Sequence, residues 1–305
     1  MKRSSPPAAL VYGALVLQTL ISSGTYLAAK RALVDVPWPA LLLLRNVGAA
    51  GLFIPLFLVT AGPVLPPGRH RRRVVLLGVL AVPLNQALFL AGLTWTTPAH
   101  AALLYTLTPA LVLAWSVAAG QERFEGRKLA GLALALGGAA LVVLERAKSV
   151  GAGVRGGDIL VFGAVLAWAA FTVLGKPLVE SAGPVRATGW ALMTGALFVV
   201  PAGARPLARV PFAHLHAAVW ASLAFLVLLT SFVSYLCWYF ALAHVQPSQA
   251  AVFTNLQPVL TAAASWALFE EPITPRLVLG GAAVIAGVLV ATRARALRAR
   301  WRALG

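Results

Sequence analysis

The sequence predicts an all-α integral membrane protein of ten transmembrane helices arranged as two inverted five-helix repeats, and three observations carry that prediction. The first is composition: 60% of the 305 residues are hydrophobic, only 11% are charged, and the mean hydropathy is +0.85, values foreign to water-soluble globules. The second is segmentation. Apolar runs of about twenty residues alternate with short polar or basic connections, which is the length of a bilayer-spanning helix rather than of a ten-residue barrel strand. The third is an internal duplication. Residues 98–122, PAHAALLYTLTPALVLAWSVAAGQE, return as residues 247–271, PSQAAVFTNLQPVLTAAASWALFEE, at one ungapped offset of 149.

At that offset Pro98 falls on Pro247, Leu107 on Leu256, Pro109 on Pro258, Ser116 on Ser265 and Glu122 on Glu271. The register continues through Arg127 on Arg276, Gly131 on Gly280 and Gly138 on Gly287, as a duplicated unit would. The chain therefore divides into one repeat over 1–147 and a second over 148–305, the latter ending in a basic tail.

The ten segments run over 8–29, 40–60, 74–93, 98–120, 129–144, 158–179, 188–203, 217–242, 248–269 and 277–292. The first follows Lys2 and Arg3 and has the outline of a signal peptide, but Ser22-Ser23-Gly24-Thr25 leads into further apolar sequence and nine more spans, so it is read as retained. Five spans per repeat is an odd number. The second repeat must then enter the membrane from the face opposite the first, which gives two alternative packings of similar energy around a midplane site, the architecture of a transporter, with a channel the other class that an odd-numbered duplication admits.

Sixteen basic residues fall on the side of the two termini and eight on the other, which predicts both termini cytoplasmic in a cell (inner) membrane. The net charge of +17 is concentrated in Arg69 to Arg73 and the tail from Arg293 to Arg302. These clusters flank apolar spans and lack interleaved stacking aromatics, so membrane lipid is the expected partner and nucleic acid is not. The single cysteine, Cys237, excludes an internal disulfide and any thiolate metal cage. No cofactor and no metal site are expected.

Hydrogen-bonding side chains inside apolar spans should face the bundle interior, because hydrocarbon offers them no partner. Asn85 and Gln86 in the third span, His100 in the fourth, and Asn255 and Gln257 in the ninth are such residues, with Gln18 and Thr19 in the first. They either cross-link helices or line a polar cavity. Gln249 lies six residues, about 240° around the helix, from Asn255, so Asn255 is assigned to the cavity. Pro109 and Pro258 each lie 11 residues beyond the leading proline, about 16 Å deep, where each would kink its span.

Charges inside spans are few. Arg45 either snorkels or is an intramembrane charge awaiting an acid or a substrate carboxylate. Glu122 and Glu271 are expected in loops or paired with Arg127 and Arg276, and Lys30 and Lys176 are expected to snorkel. With no mid-span carboxylate, His100 is the one candidate for a proton role near neutral pH in the repeat. The small-residue runs Gly131-Ala135-Ala139 and Ala283-Gly287-Ala291 either pack within each half or support a homodimer.

The leading prolines, the mid-span Leu-x-Pro, the closing glutamates, Arg45, and Asn85-Gln86 with Phe89 and Gly92-Leu93 together resemble the EamA-type drug/metabolite transporter family. The resemblance covers essentially the whole chain. It implies a five-plus-five inverted repeat, a cavity lined by spans one, three, four, six, eight and nine, and small metabolites, often amino acids, moving outward. Tyr105, Trp168, Phe171, Tyr235, Trp238 and Tyr239 lie in spans that the resemblance assigns to that cavity, an aromatic wall suited to a small, partly apolar cargo. The rival class is an integral membrane enzyme acting on a lipid or peptide. His214-x-His216 is the close histidine pair available to it, no carboxylate is nearby in sequence, and HExxH, GxSxG and phosphate-loop patterns are absent.

Overall fold

The structure, a computed structural model, describes residues 6–60, 62–96, 98–147, 155–261 and 275–292. All of its regular structure is helical. In chain order the elements are α1 (Ala8–Ala32), α2 (Trp38–Val59), α3 (Gly68–Trp95), α4 (Pro98–Tyr105), α5 (Thr108–Ala118), α6 (Gly126–Ala147), α7 (Arg155–Ala182), α8 (Pro184–Ala208), α9 (Ala217–Leu242), α10 (Pro247–Val252) and α11 (Pro275–Thr292). Among the described residues six helices are long and apolar enough to cross a membrane, namely α1, α2, α3, α7 from Gly156, α8 and α9; α5 and residues 278–290 of α11 are shorter apolar helices. The residues around the junction of the two proposed repeats, 148–154, lie outside the described residues, as does Glu271.

Burial follows the logic of lipid rather than water. Leu58 and Leu197 are 73% and 71% exposed, whereas Asn46 and Asn255 are 0% exposed. Apolar side chains face outward because hydrocarbon accepts them, and amides face inward because only protein can satisfy them.

The two halves interdigitate. α1 packs on α9 and α7 on α3, so the first helix of each half lies on the third of the other; α2 pairs with α8, α5 with α10, and α6 with α11. The small-residue faces expected on the fifth and tenth spans meet each other. A methyl group at Gly138 would stand 2.6 Å from the Gly280 carbonyl oxygen, and one at Gly287 would stand 2.6 Å from that of Gly131. These stripes are consumed inside one chain, across the halves, and neither of the two roles expected from sequence describes them.

Several ends and interruptions differ from expectation for local reasons. α3 begins at Gly68, after Pro67 at its N-cap, so Arg69 to Arg73 form its first turns rather than a loop. A π-helical stretch, Leu80–Gln86, surrounds Pro83 within α3, and a second, Phe225–Ser234, lies in α9. A wider turn relieves the clash and missing donor of the proline in the first case. Pro109 does not kink a continuous helix: the chain breaks at Thr106–Leu107 and Pro109 sits in the first turn of α5, where its missing N–H has no intrahelical partner to lose. Pro258 follows a 3-10 turn, Phe253–Leu256, at the equivalent place.

The half-buried lysines cap helix ends instead of snorkelling. Lys30 Nζ donates to the carbonyls of Leu93 and Thr96, at 2.8 and 3.1 Å. Lys176 Nζ donates to those of Leu242 and Val245, also at 2.8 and 3.1 Å. Each lysine thereby meets the orphaned carbonyls and negative dipole end of the neighbouring helix. Arg186 is buried in α8 and donates to the carbonyls of Phe57, Thr60 and Gly62 at and just beyond the end of α2.

Candidate functional site: a polar cavity shared by both halves

The interior amides are oriented by carbonyls that can only accept. Asn85 Nδ2 donates to the Ala164 carbonyl, 2.9 Å, and to the Tyr105 hydroxyl, 2.8 Å. Asn46 Nδ2 donates to the Leu42 carbonyl and to Gln86 Oε1, each at 2.8 Å, and Gln86 Nε2 in turn donates to the Tyr235 hydroxyl at 2.9 Å. Tyr26 OH donates to Gln257 Oε1, 2.8 Å. These bonds tie α1, α2, α3, α4, α7, α9 and the stretch after α10 around one cavity of about 70 Å³, space for a few waters.

Of the residues expected at a site, Arg45, Asn85, Gln86, Tyr105, Trp168, Tyr235 and Gln257 border this cavity. The others do not. Phe171 lies behind Trp168, stacked on Tyr239 with ring centroids 4.9 Å apart, and Trp238 packs against Trp168 at 5.2 Å with no exposure. They form the second layer of the aromatic wall, holding Trp168 rather than facing the space. Asn255 is fully buried away from the cavity, and neither polar atom of its amide has a hydrogen-bond partner among the described residues. Pro109 borders a smaller space beside Lys128 and Ser248, and Pro258 borders neither. The backbone of His100 lies in α4, while its side chain lies outside the described residues.

The cavity also takes in Gln18, Ser22, Thr25, Tyr26, Phe89, Thr230 and Ser234. Gln18, Ser22, Thr25 and Tyr26 recur at helical spacing down one face of α1, and Thr230 and Ser234 do so on α9. That periodicity was the available signal for Ser22, Thr25, Tyr26, Thr230 and Ser234. Tyr26 completes an edge-to-face cluster with Phe89 and Tyr105, at centroid separations of 5.6 and 6.1 Å.

Arg45 is the charge of the site. It is buried, and its Nε donates to Ser231 Oγ at 2.9 Å. No carboxylate borders the cavity among the described residues.

A second polar cluster joins the halves away from the cavity. Gly120, at φ +68°, ends the α5 turn, the left-handed conformation that glycine adopts without strain. It delivers Glu122 to the start of α10, where Oε1 accepts from the Ser248 N–H at 2.9 Å and Oε2 from the Ser248 hydroxyl. Lys128 Nζ bonds Glu122 and, at 2.6 Å, Gln246 Oε1. Glu122 is thus buried with Lys128, not exposed or paired with Arg127.

Sequence comparison agrees with this architecture. The profile of the EamA-like transporter family matches residues 9–144 and again 155–293. The chain belongs to that family. Among the relatives of this EamA-like transporter is the uncharacterized transporter YyaM of Bacillus subtilis, 29% identical over 72% of each chain. An uncharacterized transporter of Archaeoglobus fulgidus is 28% identical over 91% of this chain and 96% of its own. A protein of Streptantibioticus cattleyicolor named "Probable terminal-alkyne amino-acid exporter" is 24% identical over 77% of this chain and 78% of its own. A crystal structure with 18% identity superimposes with a TM-score of 0.74 over 93% of this chain and 95% of that one, a likeness of fold. The family consists of transporters, so the enzyme alternative falls away and a multi-pass membrane protein with a small-molecule substrate stands.

Proposed function

We propose that this EamA-like transporter is a secondary carrier that moves a small metabolite, an amino acid or a compound like one, outward by alternating access. The observation that carries the reading is the shared cavity: Arg45, Asn85 and Tyr105 come from the first half, and Trp168, Tyr235 and Gln257 from the second. A site built from several packed helices of both halves changes shape whenever those helices repack, which couples occupancy to the direction of opening. Two family matches, one on each side of residues 145–154, support repeats over 1–147 and 148–305. Five helical crossings per repeat, both termini in the cytoplasm and the inner membrane as the location complete the proposal. The name of the Streptantibioticus relative supports amino-acid-like cargo and export. Because the halves interdigitate, the rocking bodies are spatial bundles that mix the two repeats, not the repeats themselves.

The test is uptake into proteoliposomes by the purified full-length chain, over a panel of amino acids, their deaminated acids and amines, with and without a pH gradient. Saturable flux of at least one solute is expected, and dependence on the gradient would place a proton, with His100 as the first residue to vary, in the cycle. Absence of flux for every solute would overturn carrier function. Cysteines added singly at the two ends should react with an impermeant reagent only after the membrane is opened; labelling of one end in intact cells would overturn the inverted arrangement.

A further inference from the structure

We infer that the cavity selects its occupant by a carboxylate held at Arg45 and does not read an ammonium group, an inference that rests on the cavity being the cargo site. Hydrogen-bond valence decides it. Because the Ala164 carbonyl fixes which end of the Asn85 amide is nitrogen, Tyr105 must accept from Asn85, and its own proton is left over. Through the Leu42 carbonyl, Asn46 and Gln86, the same logic makes Tyr235 an acceptor with a spare proton. Arg45 spends Nε on Ser231 and has no other hydrogen bond among the described residues, so its terminal nitrogens remain at the cavity wall.

The wall therefore offers a guanidinium fork and two phenolic O–H groups, an array of donors around one positive charge. A carboxylate matches it in charge and, by accepting at both oxygens, in geometry. An ammonium group has no such counterpart. No Asp or Glu borders the cavity among the described residues, Asn85 Oδ1 is a neutral acceptor, and Arg45 repels a second cation. A buried charge with one neutral partner is otherwise a cost to the fold, and an arriving carboxylate removes that cost.

The measurement is binding to the purified full-length chain in detergent, by thermal shift and by tryptophan fluorescence, of three probes that share one ring: phenylalanine, 3-phenylpropionate, which lacks the amine, and 2-phenylethylamine, which lacks the carboxylate. The two acids should bind within about tenfold of each other, and the amine more than about tenfold more weakly than either. Arg45→Gln should weaken both acids by more than about tenfold, and Arg45→Lys by less. Should Arg45→Gln fail to fold, the double variant Tyr105→Phe/Tyr235→Phe removes both spare protons and keeps both rings; it too should weaken the acids selectively. An amine that binds as well as the acids, acids indifferent to these variants, or no binding by any probe would overturn the inference. Flux separates it from the carrier reading: transport of the amine at the rate of the acids keeps the carrier and sinks the carboxylate site, whereas Arg45-dependent acid binding without any flux does the reverse.

Discussion

Gln86 donates to the hydroxyl of Tyr235 at 2.9 Å, and these two residues occupy equivalent positions of the duplication, 149 apart. Under a two-fold relation between halves, equivalent positions touch only beside the axis. On the proposed two-fold relation the bond lies beside the axis, and both residues line the cavity. Tyr235→Phe leaves a buried Gln86 N–H without its acceptor, at a cost of about 1–3 kcal/mol. Gln86→Leu frees Tyr235 and also takes the acceptor from one of the two Asn46 Nδ2 hydrogens, the other staying on the Leu42 carbonyl, so it should cost more. The double variant should be less destabilised than the sum of the singles, by about 0.5–3 kcal/mol. Unfolding of the four proteins in one detergent reads this directly, and simple additivity would show that the two side chains are not coupled.

The clasp between Glu122 and the start of α10 makes an asymmetric prediction. Glu122→Ala leaves Lys128 buried with only Gln246, and removing one partner of a buried ion pair typically costs about 3–5 kcal/mol. Lys128→Met leaves Glu122 with both of its Ser248 bonds and should cost less. Glu122→Gln/Lys128→Met removes both charges while keeping an acceptor for Ser248, and should recover much of the stability lost in Glu122→Ala. Melting temperature in detergent and the yield of monodisperse protein are the readouts.

Lys30 and Lys176 make a paired prediction. Their four acceptors, Leu93 with Leu242 and Thr96 with Val245, again stand 149 apart. Lys30→Met should open the last turn of α3, and Lys176→Met the last turn of α9, each losing about 1–2 kcal/mol of local stability. Hydrogen exchange should accelerate at residues 92–96 in the first variant and 241–245 in the second. Faster exchange spread evenly over the chain would mean that the lysines hold the whole bundle rather than these two ends.

Much of this was legible in the sequence. The offset, the intramembrane amides and Arg45 each followed from one strong constraint: a rare residue repeated in register, or a polar group in hydrocarbon that must turn inward. Such constraints say which residues face the interior. They do not say which layer of the interior each one occupies. Trp238 and Phe171 share their helices with Tyr235 and Trp168 but stand one layer farther out, because crossing angle rather than spacing decides which side chain reaches the cavity. Asn255 was misplaced for a related reason: a 3-10 turn replaces the regular helix over Phe253–Leu256, so an angle counted at 100° per residue does not carry through it. Interdigitation of the halves was not legible at all, since a duplication fixes equivalence and says nothing about which copies touch.

Two adjacent glycines test the packing most sharply. Gly137 and Gly138 sit side by side in α6, yet a methyl group at Gly137 would meet nothing within 4 Å, whereas one at Gly138 would press on the Gly280 carbonyl and the Val284 N–H of α11. Backbone cannot yield as a flexible side chain can. Gly138→Ala should therefore destabilise by about 1–3 kcal/mol through overpacking, and its equivalent Gly287→Ala, which presses on Gly131 and Ala135, should match it. Gly137→Ala gains helix propensity without a clash and should stabilise by up to about 1 kcal/mol. Opposite signs at neighbouring positions exclude a general effect of alanine on α6. Equal destabilisation at both would mean that α6 and α11 are not in this register, and with that the small-residue stripes would again be available to a second copy of the chain.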